Sequence, residues 1–284
     1  MSTPAGTVRS LLLTRPVDPA PAWGLVPAGM VAAAAVLLFG VHVRPPGYLL
    51  LVAGVVLGLL LDRPLGRSLF LIALGQGIIS TISLEADLSN AGMARFTVAL
   101  SLAVLVPFAV SRWVFGDRVI RFPLRTGEPW SRVAWGYLVG VVLLGYLVLP
   151  WYFLTSGAYA NWPPVAGAQQ IGRLFVGVNA VGIWDELFFV CTVFALYRRH
   201  FPLWQANLLQ AAIFVSFLWE LGYRSWGPFL TVPFALVQGL TFALTKSLTY
   251  VVCVHLLFDL VVFAVLVHAH NPHLFDVFLT GSAR

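Results

Sequence analysis

Nine apolar runs dominate the chain and leave it little choice but a lipid bilayer. They cover residues 23–43, 48–61, 68–84, 96–115, 133–154, 171–197, 204–223, 228–245 and 249–268. A helix needs about 20 apolar residues to cross the hydrocarbon core. Runs this apolar must satisfy their own backbone hydrogen bonds inside lipid, which selects helices. Composition agrees: 60% of the 284 residues are hydrophobic and only 10% charged, against about 25% charged in soluble domains. A water-soluble globule and a disordered chain are both excluded. The expected fold is all-α, a polytopic membrane helix bundle with eight or nine transmembrane helices. The runs 48–61 and 68–84 are short and read as a re-entrant pair or as two thin helices.

Residues 1–22 are Pro-rich and polar and read as a flexible cytoplasmic lead, without the apolar core of a signal peptide. Residues 23–284 read as a single transmembrane domain. Arginine and lysine give its orientation. With nine spans and the N-terminus inside, the cytoplasmic segments hold Arg9, Arg15, Arg63, Arg67, Arg112, Arg118, Arg121, Arg125, Arg132, Arg198, Arg199 and Lys246, 12 of the 17 basic residues. This is the excess expected of cytoplasmic loops. It predicts an integral protein of the plasma or inner membrane with its N-terminus in the cytoplasm. The net charge of +6 then reflects loops against an anionic membrane surface and not nucleic-acid binding. Cys191 and Cys253 lie in apolar runs and read as packing rather than as a disulfide framework.

Four of the 11 acidic residues are out of place. Asp185 and Glu186 sit in the middle of the sixth run, Glu220 in the seventh and Asp259 in the ninth, with His255 one turn before it. Each intramembrane acid costs about 2.5–3.5 kcal/mol on insertion scales, and such groups face a bundle interior or a wet cavity. Glu220 also reads as a plain i, i+4 ion pair with Arg224 at a membrane edge, and Asp259 as an acceptor for His255. Asp185–Glu186 has no basic residue in the ten positions before it. Two adjacent acids cannot both be ionised there without a shared proton, a cation or water. A carboxylate in such surroundings is suited to act as a general base.

Three segments carry a resemblance. Trp184-Asp-Glu-Leu-Phe-Phe-Val190, Phe214-Val-Ser-Phe-Leu-Trp-Glu220 and His255-Leu-Leu-Phe-Asp259 resemble, in order and spacing, the motifs of the CAAX-protease and bacteriocin-processing family of intramembrane proteases, over about residues 170 to 270. The resemblance implies a helical core in which Asp185 and Glu186 take the place of a Glu-Glu pair whose first acid activates water. His255 and Asp259 take the oxyanion-side positions. The sequence departs from the pattern at Asp185, which is one methylene shorter. It departs also at Val190, where the family has Arg, at Ser216, where it has Phe, and at Glu220, where it has His.

The expected function is hydrolysis of a peptide bond of a membrane-associated protein or peptide. Asp185, Glu186, Glu220, His255 and Asp259 are the candidate catalytic residues. Asp185 or Glu186 would be the base, His255 the donor to the oxyanion, and Asp259 would orient His255. The same five residues also read as oxygen and nitrogen ligands for a divalent metal such as Zn, Mn or Fe, or as a site with no metal. A third reading is a degenerate relative that serves a membrane-protein partner as subunit or scaffold, its polar residues acting as glue between helices. The membrane lipid is the common environment of all three.

Overall fold

The computed structural model describes residues 15–124 and 129–279. The rest of the N-terminal lead and the residues between 124 and 129 lie outside the described residues. Among the described residues nine long helices follow one another: α1 (Ala22–Gly40), α2 (Arg44–Leu61), α3 (Arg63–Ile79), α4 (Asn90–Val114), α5 (Arg132–Ser156), α6 (Ala168–His200), α7 (Leu203–Leu221), α8 (Pro228–Thr245) and α9 (Leu248–His270). No strand occurs among the described residues. The protein is an integral membrane helix bundle.

Local chemistry sets the helix starts. Asp62 turns α2 into α3 and accepts the Leu65 amide at 2.7 Å. Ser89, Ser131 and Ser247 cap α4, α5 and α9 by accepting from the amides of Gly92, Ala134 and Tyr250. Each cap satisfies a donor that the first helical turn leaves without a partner. The two short runs are thus two thin antiparallel helices, α2 and α3.

Seven of the nine helices are long and apolar enough to cross a membrane: α1, α2, α4, α5, α6, α8 and α9. The other two are interior elements. α3 has 17 residues and buries nine of them, Ser68 and Gln76 included. α7 carries Asn207, Gln210, Ser216 and Glu220, all buried. Their polar groups are met by protein: Gln76 donates to the Val31 carbonyl, Asn207 to Leu236 and Gln210 to Ala235. A helix surrounded by helices can hold polar groups that a lipid-facing one cannot. The outer helices show the reverse pattern. Leu49, Val52, Val56 and Leu60 on α2, and Val139, Leu143 and Leu147 on α5, form exposed apolar stripes suited to lipid contact.

The lead is held where it is described. The Asp18 and Ala20 amides donate to the Arg199 and His200 carbonyls. His200 Nδ1 donates to the Asp18 carbonyl at 2.8 Å, which leaves Nε2 to accept from Ser68 at 2.9 Å. Arg199 pairs with both Asp18 and Asp117. Residues 18–20 are thus tied to the end of α6 by two backbone hydrogen bonds, by the His200 ring on the Asp18 carbonyl and by the Arg199 guanidinium on the Asp18 carboxylate.

Candidate active site

α6 is the axis of the C-terminal half and touches α3, α4, α7, α8 and α9. It is regular from Ala168 to Asp185, then widens into π-helical turns over Glu186–Phe194. There Thr192 donates to the carbonyl of Leu187, five residues back. Such wide turns concentrate at functional sites, where they redirect side chains. Here the change falls between the two acids. Neighbouring residues on a regular helix point about 100° apart, yet Asp185 and Glu186 both reach one imidazole.

That imidazole is His255 of α9. Its Nδ1 lies 2.7 Å from Glu186 Oε1. Its Nε2 lies 3.6 Å from Asp185 Oδ2 and 3.8 Å from Asp259 Oδ1. All four side chains are buried. Gln238 of α8 donates to the same Glu186 oxygen at 2.7 Å and to the Val251 carbonyl at 3.3 Å. Glu186 and Gln238 thus fix one edge of the ring, and the other edge faces two aspartates. Phe234 packs edge-on against the ring at 5.0 Å. No Lys or Arg pairs with these carboxyl groups among the described residues. Three buried carboxyl groups thus stand around one imidazole.

A cavity of about 240 Å³ opens on this cluster. Asp185, His255, Asp259 and Tyr223 are in its wall, and Glu186 is not. Most of the rest is apolar, from Phe96 and Leu100 of α4 to Leu174 and Val178 of α6. Thr97 and Ser101 on α4 and Val176 and Ala180 on α6 line it too and are exposed, so its rim lies on the outer face between those helices. Asp185 Oδ1, Asp259 Oδ2 and Glu186 Oε2 are buried and accept no hydrogen bond from the protein. An oxygen that costly to bury, placed at a cavity, is available to a proton of bound water.

Residues 167–261 match the family model described as Rce1-like, type II CAAX prenyl endopeptidase. The match takes in α6, α7, α8 and the first half of α9. Over these residues the chain is similar to that family. No curated protein and no solved structure matches the chain.

The C-terminal helices gather four of the five expected site residues and set the fifth apart. Glu220 is buried near the end of α7 and accepts the Leu84 amide at 3.0 Å, in the segment after α3. It does not line the cavity. It does not pair with Arg224 either, whose guanidinium meets Glu85 at 3.1 Å. The expected orientation of His255 also changes partner. Glu186 holds the ring at hydrogen-bond distance, while Asp259 is 3.8 Å away. Among the described residues no three His, Cys, Asp or Glu side chains form a group that could hold a metal ion. His255 Nδ1 is already taken by Glu186. The metal reading therefore gains no geometric support, and no step of the chemistry is routed through a metal.

Three further residues shape the site. Gln238 is a polar group in an apolar helix, the signal that could have assigned it a partner in place of packing. Gly182 lies one turn before Asp185. A Cβ there would overlap Asp259 Oδ2 and stand 3.1 Å from His255 Cδ2, so only glycine lets α6 and α9 approach this closely. Nothing in the sequence marks it among 25 glycines. Trp184 forms cavity wall, fixed by its Nε1–H donating to the Leu100 carbonyl at 2.7 Å and by stacking on Phe188 at 5.1 Å. Val190 is fully buried in the widened stretch of α6 and brings no polar group to the site.

Proposed function

We propose that the protein is an intramembrane peptidase that hydrolyses a peptide bond of a membrane-associated protein or peptide. The observation that carries this reading is the unpartnered Asp185 Oδ1 beside His255 in the wall of a cavity between helices. Substrate reaches the cavity from the bilayer, through the rim between α4 and α6. Water held between Asp185 and His255 gives a proton to Asp185 as its oxygen attacks the scissile carbonyl. His255 Nε2–H faces the cavity and donates to the oxyanion that forms. Tyr223 stands in the same wall and supplies a second donor. Collapse of the intermediate breaks the C–N bond, and Asp185 returns its proton to the leaving amine. Glu186 and Gln238 hold the imidazole, and Asp259 balances its charge during attack. Donors aimed at developing charge in a dry site are the largest single contribution in acyl chemistry. Glu220 acts as a clamp between α7 and the segment after α3.

In this reading the N-terminus and the basic residues from Arg112 to Arg132 lie on the cytoplasmic side of a plasma or inner membrane, supported by the excess of arginine and lysine in those segments. One observation favours a second reading. Val190 and Glu220 stand where the family has Arg and His, and neither lines the cavity, as expected of a degenerate relative that binds a membrane-protein partner. One experiment separates the two. The protein is reconstituted in proteoliposomes with a library of membrane-anchored peptides, and new termini are identified by mass spectrometry. Cleavage by the wild type that falls about 100-fold or more in Asp185→Asn supports the peptidase. No cleavage by the wild type, together with a co-purifying membrane partner, supports the scaffold.

A further inference from the structure

Away from the candidate active site, the end of α4 and the chain after it form a groove of about 700 Å³. It is lined by Arg112, Arg118 and Arg121 together with Phe108, Trp113, Phe122 and the buried Ile120. We propose that this groove binds the phosphate headgroup of an anionic phospholipid of the surrounding bilayer.

Charge is the first argument. All three arginines are exposed, and among the described residues none of them faces a carboxylate within ion-pair reach. The acid nearest in sequence, Asp117, is taken: its carboxylate pairs with Arg199 of α6. Its Oδ1 also accepts the amides of Arg118 and Val119. Three guanidinium groups with no carboxylate partner among the described residues match phosphate oxygens, which arginine binds through paired N–H donors.

Rigidity is the second. The Asp117 amide donates to the Ser111 carbonyl at 2.8 Å, and the Leu248 amide to Pro123 at 2.8 Å. Arg121 Nε donates to the Arg118 carbonyl at 2.7 Å. The backbone that carries the arginines is therefore fixed before any ligand arrives, which lowers the ordering cost of binding.

Position decides between a lipid and a soluble phosphate. Trp113 is 77% exposed and Val114 71% exposed at the last turn of a membrane-spanning helix. An exposed tryptophan at a span end belongs to the headgroup level. Phe108 meets Trp113 edge-on at 6.5 Å and Phe122 at 5.6 Å. The headgroup lies on the arginines while the glycerol and upper acyl chain run along this aromatic wall.

The test uses the full chain in nanodiscs of equal phosphatidylglycerol and phosphatidylcholine, with retained lipids counted by native mass spectrometry. The wild type is expected to retain phosphatidylglycerol in preference. Arg112→Gln, Arg118→Gln and Arg121→Gln combined should lower that preference on the order of 100-fold, at about fivefold per basic residue near a charged surface. The exposed positions leave the fold intact, checked by circular dichroism. Removing the same charge outside the groove, with Arg15→Gln, Arg63→Gln and Arg132→Gln, should leave the preference near the wild-type value. Equal retention of the two lipids by the wild type overturns the proposal. So does an equal loss in the two triple variants, or displacement of the retained lipid by millimolar inorganic phosphate.

Discussion

Gly182→Ala tests the close approach on which the site depends. The added methyl would overlap Asp259 Oδ2 and crowd His255 Cδ2. The helix axis holds the Cβ, so Asp259 must swing away by about 1 Å or α6 and α9 must part, at about 1–3 kcal/mol for overpacking. A shift of about 1 Å in a group at the reaction centre costs about 100-fold in rate. The fold should persist, because Gly182 faces the site and packing elsewhere is untouched. The assay pairs thermal unfolding in detergent with cleavage of the peptide that the wild type cuts best. A modest loss of thermal stability with a rate about 100-fold lower is expected. Wild-type rate and wild-type stability together would refute the packing of Asp259 against α6.

Glu220→Leu should leave the Leu84 amide without its acceptor and cost about 1–3 kcal/mol of stability. Glu220→Gln keeps an acceptor and should restore most of it, with cleavage near wild type in both; a selective loss of cleavage in Glu220→Gln would put Glu220 in the reaction. Gln238→Leu removes one of the two groups bonded to Glu186 Oε1, worth about 0.5–1.5 kcal/mol for a hydrogen bond. It should lower kcat and leave KM unchanged, and a change confined to KM would mean that Gln238 meets substrate. Arg199→Gln breaks the pairs with Asp18 and Asp117, each worth about 0.2–1 kcal/mol at this exposure. Limited proteolysis should cut the segment before α1 faster, while an unchanged rate would show that the backbone bonds to Arg199 and His200 hold it alone.

The helical class and most span positions were legible because lipid imposes one rule on every run of apolar residues. The interior placement of α3 and α7 was not, since apolarity does not tell lipid from protein as a neighbour. Asn207, Gln210 and Glu220 were the residues that could have shown it. The site was legible through the cost of burying Asp185, Glu186 and Asp259. Yet Glu220 carries the same cost and is met by a backbone amide elsewhere. One-dimensional spacing places a carboxyl at a depth and on a helix face, but which helix lies opposite is a property of packing. For the same reason the partner of His255 was read as Asp259, four residues away, when Glu186 on another helix is closer. Gly182 gave no signal because its role is the absence of a side chain.

Under the proposed function Asp185, Glu186, His255 and Asp259 act together on a peptide bond. The most direct measurement is a double-variant cycle on cleavage in proteoliposomes, with Asp185→Asn, His255→Ala and both together. Groups that work as a unit are grossly non-additive. Each single variant should lose nearly as much rate as the double. Losses that multiply would separate the two residues into independent contributors, and single variants at the wild-type rate would remove the cluster from the chemistry.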